Sequence, residues 1–159
     1  TTNDFSNGGS FYGCIRNLMI SNDTTLGMLA SATDYGAGCD GLTLTASGLP
    51  QLGNGAFALV VGNVPAALPI AFLGFGSGAI NPGVDLTPPG MAGCEAYVSL
   101  DLGLYGPPAA AGTDATFILP LPNHPVLTRA SLAAQGVALS PATALGIIAS
   151  NGTRLVFGP

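Results

Sequence analysis

Glycine and proline decide what this chain can fold into. Twenty-four glycines and thirteen prolines are spread along 159 residues and cut the apolar sequence into short runs. Helices need long uninterrupted periodic stretches, whereas strands need only a few residues between turns. The longest apolar run, VPAALPIAFLGFGSGAI, is broken by Pro65 and Pro69 at one end and by Gly74, Gly76 and Gly78 at the other. A spanning helix wants about 20 residues with few such breaks, so this run predicts a buried strand with flanking turns and no membrane span.

The remaining runs read as strands. LTLTAS (42–47) alternates Leu42, Leu44 and Ala46 with threonine and serine, the pattern of a half-buried strand. AFALVVG (56–62) and PIAFLGFG (69–76) are continuously apolar and predict central strands. AYVSLDL (96–102), ATFILPL (115–121), SLAAQGVALS (131–140), LGIIAS (145–150) and TRLVFG (153–158) follow. Asn151-Gly152 separates the last two runs and suits a type I′ hairpin, with Gly53-Asn54-Gly55 in a similar part earlier. Pro88, Pro89, Gly90, Pro107 and Pro108 mark places where no strand continues. One helical turn is expected at NHPVL (123–127), with Asn123 as its cap. The expected fold is all-β: an antiparallel β-sandwich of jelly-roll or immunoglobulin-like Greek-key type, with about eight strands.

Composition narrows the function. Eight acids face three arginines (Arg16, Arg129, Arg154), one histidine and no lysine, a net charge of -5. A phosphate-binding surface needs clustered cations, so nucleic acid is not an expected partner. Ordinary protein surfaces are about a quarter to a third charged; one this poor in charge suits a subunit covered by its neighbours. The chain opens TTNDF, without a charged and apolar leader, as a mature secreted product would. An extracellular setting is expected.

Catalysis needs a nucleophile, a base and a group to orient them. His124 is the one conventional base, and it lies between Asn123 and Pro125 in an expected surface turn. No GxSxG elbow is present. Asp85, Glu95, Asp101 and Asp114 could in principle pair for glycoside cleavage, but isolated acids on turns and polar strand faces account for them. No CxxC or CxH spacing and no DxDxDG loop occurs, and Asp34 with Asp40 makes a thin oxygen pair. The expectation is a non-enzyme without catalytic residues, metal or cofactor. Asn22 and Asn151 head acceptor sequons. No tryptophan is available as a stacking platform, which weakens carbohydrate as a partner without removing it.

Three cysteines, Cys14, Cys39 and Cys94, allow three single bridges. GCDGLTLTASGLPQLGN (38–54), PPGMAGCEAYVS (88–99), LPLPNHPVL (119–127), LAAQGVALS (132–140) and ALGIIASNG (144–152) together resemble a β-sandwich module. That module recurs, often C-terminally, in large secreted proteins of environmental bacteria, and has no settled activity. The resemblance covers about residues 36 to 158. It implies secretion, a sandwich, and a bridge between Cys39 and Cys94. His124 stands where the module more often has an acid. With Cys39 and Cys94 paired, Cys14 is left as a free buried thiol or as a thiol for a bridge between chains.

Residues 1–35 fall outside the resemblance and are expected to be an N-terminal extension to a sandwich domain of residues 36–159. Within it, Tyr12, Cys14, Leu18 and Ile20 share one strand face, while Ile15, Leu18 and Met19 also follow helical spacing. Leu26, Met28, Ala30 and Ala32 alternate with Thr25, Gly27, Leu29 and Ser31. Such a segment can add to an open sheet edge, and ten extended residues reach about 33 Å. The leading expectation is a structural subunit that polymerises with its own copies into a pilus-like fibre or surface layer. Tyr12, Ile15, Leu18, Ile20, Leu26, Met28 and Ala30 are its candidate contacts. The alternatives are a hairpin completing its own sandwich, and a non-catalytic module that binds polysaccharide or a cell surface.

Overall fold

A computed structural model describes residues 29–106 and 112–159. Among these residues the chain forms ten strands and one 3-10 turn. They are β1 (Ser31–Tyr35), β2 (Thr43–Ala46), β3 (Ala58–Gly62), β4 (Ala71–Gly76), β5 (Ala79–Asp85), β6 (Glu95–Val98), β7 (Gly103–Tyr105), β8 (Ala115–Ile118), β9 (Ser131–Leu139) and β10 (Ile147–Val156). The strands pair antiparallel into a five-stranded sheet, β1-β10-β9-β4-β7, a three-stranded sheet, β2-β3-β8, and the hairpin β5-β6.

The core lies between the five- and three-stranded sheets. Register places Leu44 opposite Val61 and Ala46 opposite Leu59, with Phe117 and Ala115 next in the same rows. Alternation along each strand thus becomes an apolar face across the sheet. Opposite it stand Ala71 and Leu73 of β4, Ala134 and Ala138 of β9, and Ile148 and Leu155 of β10, all buried. The sheets approach closely at Gly136, where an added Cβ would lie 2.8 Å from Val61 Cγ2.

The hairpin β5-β6 covers part of the outer face of the five-stranded sheet. Its anchor is Gln135 of β9, buried and fully bonded: its side-chain oxygen accepts from Tyr97 N at 2.9 Å, and its amide donates to Glu95 O and Ser150 O at 2.8 Å. Tyr97 meets Tyr35 edge to face at 5.9 Å, and Tyr35 Oη donates to Tyr97 O. Glycines admit both rings, since a Cβ on Gly36 or Gly152 would fall 2.2 or 2.5 Å from ring atoms. The Cys39–Cys94 disulfide, implied by the module resemblance, is present with a Cα–Cα distance of 4.9 Å.

Several local expectations need correction. Asn151-Gly152 does not turn the chain: 147–156 is one strand with a bulge between Ala149 and Gly152. The Asn151 side chain accepts from Leu44 N at 2.8 Å and donates to Leu44 O at 3.0 Å, so it acts as a one-residue edge partner for β2. That contact across 107 residues outweighs the local preference for a hairpin. Gly53-Asn54-Gly55 sits within a longer connection, tied to the chain end by Leu52 N donating to Gly158 O. The run 96–102 leaves the sheet after Val98. The 3-10 turn Pro125–Leu127 is capped by His124, not Asn123, because Nδ1 of the imidazole accepts from Val126 N at 3.3 Å. β5 passes through Pro82 by an irregularity between Ala79 and Val84. Ser31–Tyr35, grouped with the extension in sequence, pairs with β10 of its own chain.

Candidate functional site

Among the described residues the five-stranded sheet ends on one side at β7, a three-residue strand paired with β4. Its formation follows from two glycines flanking Leu104-Tyr105, Gly103 with φ +102° and Gly106, which bound a short apolar pair. Leu104 lies opposite Gly74 and points to the outer face. Tyr105 lies opposite Leu73 and points into the mouth of the sandwich, where its ring meets Phe117 edge to face at 6.1 Å.

Apolar surface flanks β7 on both sides. On the outer side Phe72, Leu100, Leu104, Val137 and Ile147 line a cleft of about 290 Å³. On the inner side Phe75, Tyr105, Ile118, Leu121 and Phe157 belong to the lining of a second cleft of about 340 Å³. Leu100 is 45% exposed, Leu102 60%, Leu104 64% and Tyr105 49%, so four large apolar residues within six positions face solvent. Leu100 also adopts a left-handed backbone with φ +53°, a conformation leucine rarely takes. Its side chain sits over Gly74, where an added Cβ would lie 2.4 Å from Leu100 Cδ2.

The loop that presents these leucines is held by Asp101. Its carboxylate accepts from Ser77 N at 2.8 Å and from the hydroxyls of Ser77 and Ser99 at 2.5 Å each. The two serine hydroxyls and the Ser77 N–H, in that order, hold the Asp101 carboxyl well below the usual carboxylate range.

A different, polar surface surrounds Arg154. Ser31, Thr33, Tyr35, Ala79, Asn81, Arg154 and Val156 line a cleft of about 550 Å³. A neighbouring cleft of about 250 Å³ shares Ala79 and Arg154 and adds Ser77 and Ser131. Among the described residues no carboxylate lines either one. Burial pushes the Tyr35 phenol up, against the opposing pull of the Arg154 guanidinium. Tyr97 is also raised: the Ala37 N–H at its oxygen favours the phenolate, and burial together with Glu95 outweighs it.

The residues singled out for chemistry are dispersed. His124 is exposed and spends Nδ1 on its cap. Asp85 and Glu95 face each other across β5 and β6, but the Thr87 hydroxyl and N–H hold Asp85 below its ordinary value, the wrong direction for a proton donor. Asp34 accepts from Thr153 Oγ1 at 2.7 Å, while Asp40 occupies a separate turn. Among the described residues no three His, Cys, Asp or Glu side chains gather as metal ligands, and no helix is long and apolar enough to cross a membrane.

Of the candidate contacts, Ala30 is 6% exposed within its own chain. Tyr12, Cys14, Ile15, Leu18, Ile20, Leu26 and Met28 lie outside the described residues. Sequence reasoning missed Gln135, Arg154 and the β7 edge. A hint for the last was available in LDLGLYG, whose leucines alternate between glycines. No family model, no curated protein and no solved structure matches this chain.

Proposed function

We propose that the protein is a secreted, non-catalytic structural subunit. Copies assemble into an extracellular filament or surface layer, each passing its N-terminal segment to the next. The observation that carries this reading is the concentration of exposed leucines and Tyr105 around β7, whose second edge has no partner among the described residues. Contiguous exposed apolar patches mark interaction sites. A disulfide suits an oxidising compartment. A contact between unlike surfaces of identical copies propagates into an open fibre unless its rotation closes a ring.

Negative-stain microscopy of the full chain tests the reading. Regular fibres or sheets are expected, and discrete monomers at every concentration up to the solubility limit would end it.

The polar cleft at Arg154 favours one second reading, a module that grips polysaccharide. Hydroxyl, amide and guanidinium groups around a concave surface suit sugar hydroxyls and carboxylates. A glycan array discriminates: a hit lost on Arg154→Ala promotes this reading over assembly.

A further inference from the structure

We infer that the trough at Arg154 binds an acidic polysaccharide, with the guanidinium holding the carboxylate of a uronic acid unit inside the sugar chain. This inference rests on the second reading above, in which the same surface takes polysaccharide, and names the sugar and its placement.

Sheet register builds the trough. On the outer face one row runs Thr33, Arg154, Ala133 and Gly76, and the row beside it runs Ser31, Val156 and Ser131. Alanine and glycine on one side of Arg154 leave the floor low there, and β5 with the turn before it, from Ser77 to Asn81, forms a wall. The clefts of about 550 and about 250 Å³ meet at Ala79 and Arg154. Arg154 therefore stands between two clefts and not at a blind end. A ligand lying across β1, β10 and β9, about 10 Å between the outer two strands, passes the guanidinium near its middle. A sugar chain does this with an internal unit, whereas a terminal acid would leave one cleft empty.

The lining selects the anion. Among the described residues no carboxylate lines either cleft, although the chain holds eight acids. Asp34, between Thr33 and Tyr35, falls on the opposite face by alternation and accepts there from the buried Thr153. A guanidinium offers a planar fork of donors that a carboxylate fills with two parallel bonds. Densely charged sulfated or phosphorylated chains call for clustered cations. One arginine among hydroxyls suits one carboxylate.

The other polar groups match sugar hydroxyls. Tyr35 Oη donates to Tyr97 O, and Ser77 Oγ donates to Asp101, so both oxygens keep capacity to accept from a ligand. Asn81, with a donor and an acceptor, is exposed on the facing wall. Arg154 is itself exposed, so it can be replaced without opening the core.

The test measures binding of the full chain by calorimetry. The probes are polygalacturonate and alginate, each before and after reduction of its carboxyl groups, with dextran sulfate as a second anion. At least one polyuronate should bind, and its reduced form should bind about tenfold or more weakly. Arg154→Gln and Arg154→Lys should both lose about tenfold to a hundredfold, the second because lysine keeps the charge without the fork. Both variants should melt with the parent. Arg129→Gln removes the same charge from a residue that lines neither cleft and should keep the parent affinity. A trimer of the bound uronate should compete where the monomer does not. Equal binding of the reduced polymer, or silence toward both polyuronates beside a glycan-array hit on a neutral sugar, would overturn the uronate and leave the polysaccharide reading standing. Full affinity in Arg154→Lys, or equal affinity for dextran sulfate, would make the attraction general and overturn the site. A monomer that competes as well as the trimer would overturn the internal placement. Silence toward every glycan of the array removes the polysaccharide reading and this inference together.

Discussion

Asn151 shows how a single side chain can replace a strand. Its carboxamide presents one acceptor and one donor to Leu44, as a backbone neighbour of β2 would. The same engagement occupies the nitrogen that a sequon would offer for glycosylation. Asn151→Ala leaves a backbone N–H and C=O of β2 without partners. The expected cost is about 1–3 kcal/mol, read as a lowered urea midpoint with an unchanged slope. Asp101 is the other residue whose role is local and measurable. Its folded pKa is depressed by the two serines, so its contribution is present above the unfolded value of about 3.9 and is lost as pH falls from there through the folded value. Melting temperature should therefore drop below about pH 4, and Asp101→Asn should flatten that drop.

Among elements, the hairpin β5-β6 is the one whose place depends most on distant partners. Three fastenings hold it: the Gln135 side chain, the Tyr35–Tyr97 pair and the Cys39–Cys94 bridge at the start of β6. The bridge closes 55 residues of chain, which in the chain-entropy account stabilises by about 4 kcal/mol. Cys39→Ser with Cys94→Ser should lower unfolding free energy by about that amount in denaturant titration. Loosening should begin at β5-β6, visible as faster amide exchange there than in β9 or β10. β1 teaches a related lesson. Its alternation was legible, but its membership of the chain's own sheet was not, because SATDY pairs with a strand more than 100 residues away.

At the scale of the whole molecule, the assembly proposal predicts separable roles for the sandwich and the segment before Leu29. Removing residues 1–28 spares every pairing of β1 and should leave a folded, monomeric β protein by circular dichroism and light scattering. Removing residues 1–35 instead strips β1 from β10 and exposes the edge next to Thr153 and Leu155, both buried. The longer deletion should be less soluble and less stable than the shorter one. Polymers that persist after the shorter deletion would remove the N-terminal segment from the mechanism.

What was legible in the amino-acid order is what depends on neighbours within a few residues. Alternation and the spacing of glycine and proline marked β2, β3, β4, β8 and β9, since side-chain direction and backbone freedom are local properties. β5 and β7 escaped, one crossed by Pro82 and the other only three residues long. The tertiary structure alone turned Asn151 from a turn residue into an edge partner, buried Gln135 as a clamp, and set β7 between two apolar clefts. Each of these is settled by groups far apart along the chain, where burial and unpaired hydrogen-bonding groups outweigh local preference.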